Sequence, residues 1–428
     1  MIWTLAIVPV VLLVLGFPIF LVLLSGVTLS LVLFMNMPMA VLQQTLFASV
    51  NAYTLLALPF FIFAGELMDR GGIASRLVNL VQASMGRVPG KLPLTAVGTG
   101  AIFGAITGVG AASVATVGKV TYPPLRKAGY GEEFSAGLLV SVGAVGVILP
   151  PSIPMIIYGA SAEQSIPRLY AAGIGPGLLI LLLLALYSMW VGRKVDGPSE
   201  RFSLARFWAA LKDGIWALGV PVVILGGIYG GIFSPTEAAA VACLYAMVVT
   251  LFVMRELDFS GVLAAARNTV VFTAQILLIV ACAGVFSWII TVNQVPANIV
   301  SWMQGLSIEP WVLLIVINIL LLAVGCVLDP LSAILLLTPL LLPVIVAIGV
   351  DPIHFGMIIT VNLAIGLFTP PMGMNLFVLQ SMFGTKLSVA FRGTIPFLAI
   401  YLIALALVTF VPAISEFGVN LFMPAKGN

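Results

Sequence analysis

The longest part of the chain without Lys or Arg is residues 268–385, which consists of one apolar segment after another. A soluble domain carries about 25% charged residues, because its surface faces water. Here 8% of the residues are charged and 61% are hydrophobic. Lipid is therefore the solvent of this chain, and we predict an all-α, polytopic membrane protein embedded in a bilayer.

Composition also excludes several classes of protein. The net charge of +3 is no sign of an acidic partner, because membrane proteins collect Lys and Arg in cytoplasmic loops, and nothing favours nucleic-acid binding. His354 is the only histidine and is predicted to lie near a surface, which excludes a His-based metal cluster. Since no catalytic motif or pair is evident, we predict a protein that is not an enzyme and has no organic cofactor. Cys243, Cys282 and Cys326 lie in apolar runs and are interpreted as buried small hydrophobes.

Basic residues predict the orientation of the segments, because they favour the cytoplasmic side of a membrane. Residues 1–15 lack a basic n-region and a cleavage site, so we expect a retained membrane segment. Counting crossings back from Arg70 makes this segment a short crossing with its N-terminus outside. Counting crossings from there places every basic cluster in the cytoplasm. The clusters are Arg70, Arg76, Arg87 and Lys91; Lys119, Arg126 and Lys127; Arg193, Lys194, Arg201, Arg206 and Lys212; Arg255 and Arg267; and Lys386 and Arg392.

The stretch between Lys91 and Lys119 is too short for two crossings. Both ends are basic and therefore cytoplasmic, whereas two helical crossings need about 40 residues. We predict a re-entrant helical hairpin at about residues 92–118, with a Gly-rich tip that needs protein or a wet cavity around it. Residues 74–85, just before it, are amphipathic and are predicted to form an interfacial helix that carries a moving domain.

The remaining crossings follow by parity. A crossing at residues 134–159 follows the first hairpin. A second hairpin, at about residues 311–349, is entered from the non-cytoplasmic face and is followed by a crossing at residues 354–379. The other crossings are predicted at residues 169–191, 207–233, 236–254, 268–291 and 395–411.

The two halves of the chain repeat at a distance of about 220 residues. The basic residues do not repeat, since Arg126 and Lys127 have no counterpart in residues 346–353. We therefore predict two inverted-topology repeats, residues 1–206 and 207–428, which is an arrangement typical of secondary transporters. The coinciding residues include Pro123 with Pro343, Gly129 with Gly349, Gly146 with Gly366, and Pro150-Pro151 with Pro370-Pro371.

Each repeat contains a hairpin tip and a broken crossing, and such interruptions form the binding centres of inverted-repeat transporters. Freed carbonyls and hydroxyls suit Na⁺, and half-helix N-termini suit a carboxylate. No Arg lies at any of these breaks, so a carboxylate there would be bound by helix dipoles and hydroxyls and not by a guanidinium. The candidate substrate- and ion-binding residues are Gly108, Gly110, Ser113, Gly146, Pro150, Pro151, Ser152, Asp329, Ser332, Gly366, Thr369, Pro370, Met372 and Asn375. Those selected for Na⁺ are Ser113, Gly146, Asp329, Gly366 and Thr369.

These residues also have structural interpretations, which stay open at this point. Proline breaks occur as packing kinks, hydroxyls can satisfy local backbone, and Asn362 and Asn375 can join helices. Asp329 fits an N-cap with proline at N1, although a carboxylate far from the charged loops favours a role with Na⁺. For Glu237 the structural interpretation prevails, because Ser234-Pro-Thr-Glu237 has the spacing of a capping box.

Four motifs carry a family resemblance. They are Pro-Thr-Glu-Ala-Ala-Ala at 235–240, Pro-Pro-Leu-Arg-Lys-Ala-Gly-Tyr at 123–130, Gly-Val-Ile-Leu-Pro-Pro-Ser-Ile-Pro at 146–154, and Phe-Thr-Pro-Pro-Met-Gly-Met-Asn at 368–375. Each is weak alone. In this order and on this topology, essentially the whole chain resembles the large membrane subunit of the TRAP (tripartite ATP-independent periplasmic) transporters.

The resemblance implies a function and two partners. It implies Na⁺-coupled uptake of an organic acid, chiefly a sialic acid or a C4-dicarboxylate, across the bacterial inner membrane by an elevator movement of the hairpins. The implied partners are a small four-helix membrane subunit, fused to the large one in some members although no such extension precedes Met1 here, and a periplasmic substrate-binding protein. The alternative is a stand-alone ion-coupled anion carrier that needs no binding protein.

Overall fold

The computed structural model describes residues 2–35, 38–195, 202–305 and 309–423, which form helices and no strands. Arg201, assigned above to a basic cluster, lies outside the described residues. The first ten helices are α1 (Ile2–Val14), α2 (Ile19–Ser30), α3 (Met39–Val50), α4 (Ala57–Arg70), α5 (Ile73–Ser84), α6 (Lys91–Thr107), α7 (Gly110–Lys127), α8 (Glu132–Val145), α9 (Ile153–Ser161) and α10 (Ile166–Val195). The others are α11 (Leu204–Tyr229), α12 (Pro235–Val248), α13 (Phe259–Val292), α14 (Val295–Gly305), α15 (Pro310–Gly325), α16 (Pro330–Ala347), α17 (Pro352–Gly366), α18 (Met374–Phe383), α19 (Leu387–Phe410) and α20 (Ala413–Phe422).

The helices confirm the prediction of an all-α, polytopic membrane protein. Among the described residues, six helices are long and apolar enough to cross a membrane, or seven if the bent pair of α3 and α4 counts as one span. That pair bends by 56° between residues 39–50 and 53–70. Many large apolar side chains on α1, α2, α11 and α13 are exposed, as expected where lipid is the solvent.

The order of helices repeats along the chain. Helices α7 and α16 begin at Gly110 and Pro330 and end at Lys127 and Ala347, so both ends are 220 positions apart. Each helix is followed by a left-handed glycine, Gly129 with φ +93° and Gly349 with φ +78°. Both α2 and α12 continue into a π-helical turn, at Leu31–Met35 and Val249–Val253. Local backbone conformation therefore repeats together with the sequence.

Two helical hairpins occur at the predicted places. Helices α6 and α7 pack together around a tip at Gly108 and Val109, and α7 continues to Lys127, beyond the predicted end at residue 118. Lys119, which directly follows the predicted hairpin, is therefore inside α7 and not beyond its end. Helices α15 and α16 form the second hairpin, with its tip at residues 326–329.

Each hairpin is followed by a broken helix whose two halves are separated by a proline pair. Helices α8 and α9 flank the bond Pro150–Pro151, and α17 and α18 flank Pro370–Pro371; both bonds are cis. Helices α8, α9 and α17 are largely buried, α18 is buried on one side, and α8 packs most extensively against α19. Glycines allow this close crossing, because a Cβ at Gly137 would lie 2.0 Å from the carbonyl oxygen of Gly393.

Several local predictions can now be compared with the structure. The capping box at Ser234 and Glu237 is confirmed, with both reciprocal hydrogen bonds present at the start of α12. The amphipathic helix predicted at residues 74–85 is α5, whose buried face includes Leu77 and Leu80. The prediction that His354 lies near a surface is wrong: its ring is buried, with Nδ1 3.1 Å from the hydroxyl of Ser415. The serine lies on α20, a short helix that the crossing pattern did not predict.

Candidate functional site

Both hairpin tips and both helix breaks meet at one cavity of about 310 Å³, here called the central cavity. One face of α13 completes its wall. The lining residues are Gly108, Val109, Gly110 and Ala111 from the first tip; Val147, Ile153 and Pro154 from the first broken helix; Asp329, Pro330, Leu331 and Leu335 from the second hairpin; Leu367 and Met374 from the second broken helix; and Phe272, Gln275, Ile276 and Ile279 from α13.

At the first tip, glycine lets two chain segments approach closely. Gly108 has φ +63°, and a Cβ there would lie 3.2 Å from the backbone nitrogen of Ile153. Gly110 begins α7, and a Cβ there would lie 3.1 Å from the carbonyl oxygen of Gly143. Both predicted glycines therefore line the cavity and contact the first broken helix.

The first break lies directly behind this tip. A Cβ at Gly146 would be 2.7 Å from Cα of Gly104 and 3.2 Å from Oγ of Ser113. Ser113 is buried and donates a hydrogen bond to the carbonyl of Val109, at 3.3 Å. The structure thus brings Ser113 and Gly146 together, as the predicted Na⁺ set requires, although neither residue lines the central cavity.

Ser152 stabilises this break. Its hydroxyl donates to the carbonyl oxygen of Val147 at 2.5 Å and does not cap α9, although Ser152 occupies the N-cap position. Pro150 and Pro151 are buried beside it and do not line the cavity. One of the carbonyls freed by the break is therefore satisfied locally, as the structural interpretation of Ser152 proposed.

At the second tip, Asp329 is the N-cap of α16. Its Oδ1 accepts hydrogen bonds from the backbone nitrogens of Leu331 (3.0 Å) and Ser332 (3.1 Å), and its Oδ2 accepts one from the hydroxyl of Ser332 at 2.5 Å. Asp329 also lines the central cavity. The N-cap interpretation is therefore confirmed, and the same carboxylate faces the place where the tips meet.

The second break repeats the packing of the first. A Cβ at Gly366 would lie 2.2 Å from the carbonyl oxygen of Gly325, the counterpart of the contact between Gly146 and Gly104. The hydroxyl of Thr369 donates to the carbonyl of Ile365 at 2.6 Å. Pro370 is half-buried and Met372 is 59% exposed. Thr369, Pro370 and Met372 do not line the central cavity.

Asn375 joins the two repeats. Its Nδ2 donates to the carbonyl oxygen of Val140 on α8 at 2.8 Å, so it does join helices as the structural interpretation proposed. Its Oδ1 is buried without a hydrogen-bond partner, 3.4 Å from the position of a Cβ on Gly110. Ser113 lies one turn beyond Gly110 on α7. A Cβ added at Gly143, three residues before Gly146, would lie 3.0 Å from Nδ2 of Asn375. This neighbourhood therefore supplies an orphaned oxygen, a hydroxyl and a broken backbone, a donor set that fits Na⁺.

Three helix N-termini without a side-chain cap surround the central cavity. They belong to α7, α9 and α18, whose first residues Gly110, Ile153 and Met374 line it. First-turn amides without a partner and the helix dipole favour negative charge, although in α18 the amide of Asn375 donates to the carbonyl oxygen of Leu367 at 2.9 Å. The fourth N-terminus, that of α16, is satisfied by Asp329. No Lys, Arg or His is among the described residues that line the cavity, so an anion there would be met by helix ends.

Two further cavities continue the central one along α13. One, of about 180 Å³, shares Val109 and Phe272 with it and contains Glu66 and Asp69 in its wall. The other, of about 260 Å³, shares Leu335 and extends to Ser287 on α13. From Phe272 to Ser287 the helix rises about 22 Å, most of the thickness of a hydrocarbon core. The three cavities thus follow one helix from one side of the molecule towards the other.

The contribution of α13 was not predicted from the sequence. Gln275 is the only carboxamide between Thr269 and Val292, and this signal was available without the structure. Asn362, in contrast, lies away from the cavity and donates to Oδ1 of Asn318 at 2.6 Å, so it joins two helices.

The sequence matches a known family over nearly its whole length. The profile of the family described as "Tripartite ATP-independent periplasmic transporter, DctM component" matches residues 6–414. The chain is similar to the C4-dicarboxylate TRAP transporter large permease protein DctM of Pseudomonas aeruginosa, 40% identical over 393 residues, which are 92% of each chain. It is also similar to the ectoine/5-hydroxyectoine TRAP transporter large permease protein UehC of Ruegeria pomeroyi, 38% identical over 95% of this chain and 96% of that protein.

Two further comparisons concern a longer relative and the fold. The isethionate TRAP transporter permease protein DctMQ of Oleidesulfovibrio alaskensis is 41% identical over 384 residues, which are 89% of this chain and 60% of that longer protein. The crystal structure of the Alcanivorax borkumensis YdaH transporter has a TM-score of 0.65 with 16% sequence identity. The superposition covers 94% of this chain and 97% of the YdaH chain, which shows a common fold.

Proposed function

Because this chain belongs to the DctM component family of tripartite ATP-independent periplasmic transporters, we propose that it carries a small organic acid across the inner membrane together with Na⁺. It is a multi-pass inner-membrane protein and the large permease subunit of a transporter, and not an enzyme. The observation that carries the proposal is the meeting of three uncapped helix N-termini at the central cavity.

The electrostatics of the cavity favour an anion accompanied by a cation. Helix ends supply only partial positive charge, and Asp329 adds a full negative charge to the wall. An anion taken out of water at such a place needs further compensation. Na⁺ held beside Ser113, Gly146 and Asn375 would supply it, which couples the binding of the two solutes.

C4-dicarboxylates are the substrate class that we propose first. The name of the Pseudomonas relative includes C4-dicarboxylate, and the name of the Oleidesulfovibrio relative includes isethionate, another small organic anion. The name of the Ruegeria relative, ectoine/5-hydroxyectoine, shows that one architecture serves different solutes. Sialic acid, the other class implied by the resemblance, stays a prediction.

Movement and partners follow from the same architecture. We propose that the two hairpins and their broken helices move as an elevator against α4, α12 and α13, of which α4 packs against both of the others. A periplasmic binding protein delivers the acid, and a small membrane subunit supports the stationary helices. The cavities along α13 fit such a movement, because the hairpins form one wall and α13 the other.

The test is uptake into proteoliposomes. We would reconstitute this chain with its small subunit and add the binding protein, labelled succinate or sialic acid, and a Na⁺ gradient, omitting each component in turn. Uptake of succinate that needs both Na⁺ and the binding protein is the expected result. Na⁺-driven uptake without the binding protein would establish a stand-alone carrier instead, and uptake that ignores the Na⁺ gradient would contradict the proposed coupling.

A further inference from the structure

Polar side chains are scarce in the central cavity. Among the described residues that line it, Gln275 and Asp329 alone carry a polar side chain. Asp329 is engaged, because both of its oxygens accept hydrogen bonds within the second tip. Gln275 is exposed, and no hydrogen bond joins its amide to another described residue. The cavity therefore contains one uncommitted hydrogen-bonding side chain.

The position of Gln275 on α13 directs it towards the tips. Phe272, Ile276 and Ile279 line the cavity with it, and this spacing of three and four residues marks a single helix face. Gln275 lies at the middle of the 34-residue helix, in a face that is otherwise apolar. An amide that served to join helices would have a partner, and Gln275 has none among the described residues.

We infer that Gln275 is the residue by which α13 selects the transported solute, an inference that rests on the proposed function. Its amide offers two N–H donors and one acceptor to a solute held at the helix ends of α7, α9 and α18. Once a bound solute covers this amide and removes it from water, an amide left without its partner penalises any solute that lacks the matching group. Gln275 therefore distinguishes small oxygen-rich acids from one another, while the helix ends provide the general affinity for anions.

The first arm of the test measures selectivity in proteoliposomes. Uptake kinetics for succinate, isethionate and ectoine are compared among the wild type, Gln275→Leu, Gln275→Asn and Gln275→Glu. Ala274→Leu is the matched control, since Ala274 is exposed on the same helix and does not line the cavity. We expect Gln275→Leu to raise KM for the preferred acid roughly ten- to hundredfold and change kcat little. Gln275→Asn should restore part of this loss, and Gln275→Glu should be worse than Gln275→Leu.

The second arm does not depend on uptake of an acid. In a chain whose three native cysteines are replaced by alanine, Gln275→Cys and Ala274→Cys are labelled with a membrane-impermeant thiol reagent. We expect rapid labelling of Gln275→Cys alone, slowed by the solutes that the protein carries. Equal labelling of both variants, or an unchanged order of KM values in Gln275→Leu, overturns the inference. If the wild type takes up none of the solutes, the proposed function is overturned instead. Protection of Gln275→Cys by ectoine would then still support the role of Gln275, and a lack of protection by ectoine would overturn it.

Discussion

Asp329 shows how one side chain serves structure and charge together. Its oxygens accept three hydrogen bonds from Leu331 and Ser332, so it caps α16 in the usual manner of an N-cap carboxylate. Asparagine caps helices about as well as aspartate but carries no charge. The capping role and the electrostatic role are therefore separable by comparing two substitutions at this position.

We predict different results for Asp329→Asn and Asp329→Ala. The alanine variant loses the cap and should be destabilised by about 1 kcal/mol, whereas the asparagine variant should keep wild-type stability in a detergent melting curve. Because both variants remove the charge, both should weaken the apparent affinity for Na⁺ in uptake by about tenfold or more. Ser332→Ala keeps the charge and the backbone caps, and is the control. An asparagine variant with wild-type Na⁺ dependence would reduce Asp329 to a capping residue.

Of the residues predicted for the site, Gly108, Gly110 and Asp329 line the central cavity, whereas its apolar wall and the face of α13 were not predicted. Glycine and proline can be interpreted from the sequence, because glycine marks places where two chain segments approach closely and proline marks breaks in helices. Gly108 and Gly366 are examples of such close approaches. Hydroxyl residues are harder to assign, since Thr369 and Ser152 bind carbonyls of their own segment and sequence spacing cannot tell this from ion binding. Gln275 was not predicted because α13 is unbroken, and binding residues were expected only at interruptions of helices.

At the scale of elements, each hairpin is fixed to the following broken helix by a glycine contact. A Cβ at Gly366 would lie 2.2 Å from a backbone oxygen of Gly325, and backbone cannot yield as a flexible side chain does. We predict that Gly366→Ala lowers stability by about 2 kcal/mol and abolishes uptake, because the second hairpin must shift. A lowered melting temperature in detergent would show this.

Gly226 in α11 provides the control for that substitution. No atom lies within 4 Å of a Cβ added there, so Gly226→Ala should be neutral or stabilise the protein by about 0.5–1 kcal/mol through its helix propensity. If Gly366→Ala melts like Gly226→Ala, the close packing of α15 against the second break is not what fixes the hairpin.

The amphipathic helix α5 is tied to the neighbouring helices by Arg76. Its guanidinium contacts Glu256 at 2.5 Å and Asp213 at 3.1 Å, with 17% of the side chain exposed. Burial acts to lower the pKa of Arg76, but the hydrogen bonds to Glu256 and Asp213 raise it above the usual value, so it stays charged. This single residue connects α5 to α11 and to the segment after α12.

We predict that Arg76→Ala destabilises the protein by about 1–2 kcal/mol, because two carboxylates lose a partly buried partner. Arg70 is the matched control, since it pairs with Glu66 at 3.4 Å within one helix and both side chains are about one-third exposed. Arg70→Ala should cost no more than about 0.5 kcal/mol. Melting curves at low and high salt measure both effects, and equal costs would show that Arg76 does not hold α5 in place.

Elements with a charge or proline signal were predicted well, and those without one were not. The hairpin of α6 and α7 follows from basic residues too close together for two crossings, and the broken helices follow from the proline pairs. Helix α14 occupies the place in the second half that α5 has in the first, but it has no counterpart of Arg76 and was not predicted, whereas α5 was predicted from its amphipathic pattern. The bend between α3 and α4 was not predicted, because the intervening residues 51–56 contain no proline.

At the scale of the whole molecule, the repeat explains why a route can exist on both sides of one cavity. Gly65 lies beside the cavity that contains Asp69, and Gly284, its counterpart in the second half, lies beside the cavity that ends at Ser287. The central cavity lies between the two, where both hairpin tips meet α13. Two copies of one unit, inserted in opposite orientations, would place equivalent vestibules on opposite faces of the membrane.

That inversion is testable at two equivalent helix ends. Ala128 and Ala347 are exposed at the ends of α7 and α16, and only Ala128 has basic neighbours, Arg126 and Lys127. Because basic residues are retained in the cytoplasm, an impermeant thiol reagent should label Ala347→Cys in intact spheroplasts and Ala128→Cys only in inverted vesicles. Both variants are made in the chain without native cysteines, which also serves as the unlabelled control. Labelling of both from the same side would mean that the two hairpins enter the membrane from one face, and the equivalence of their sequences would then require parallel repeats.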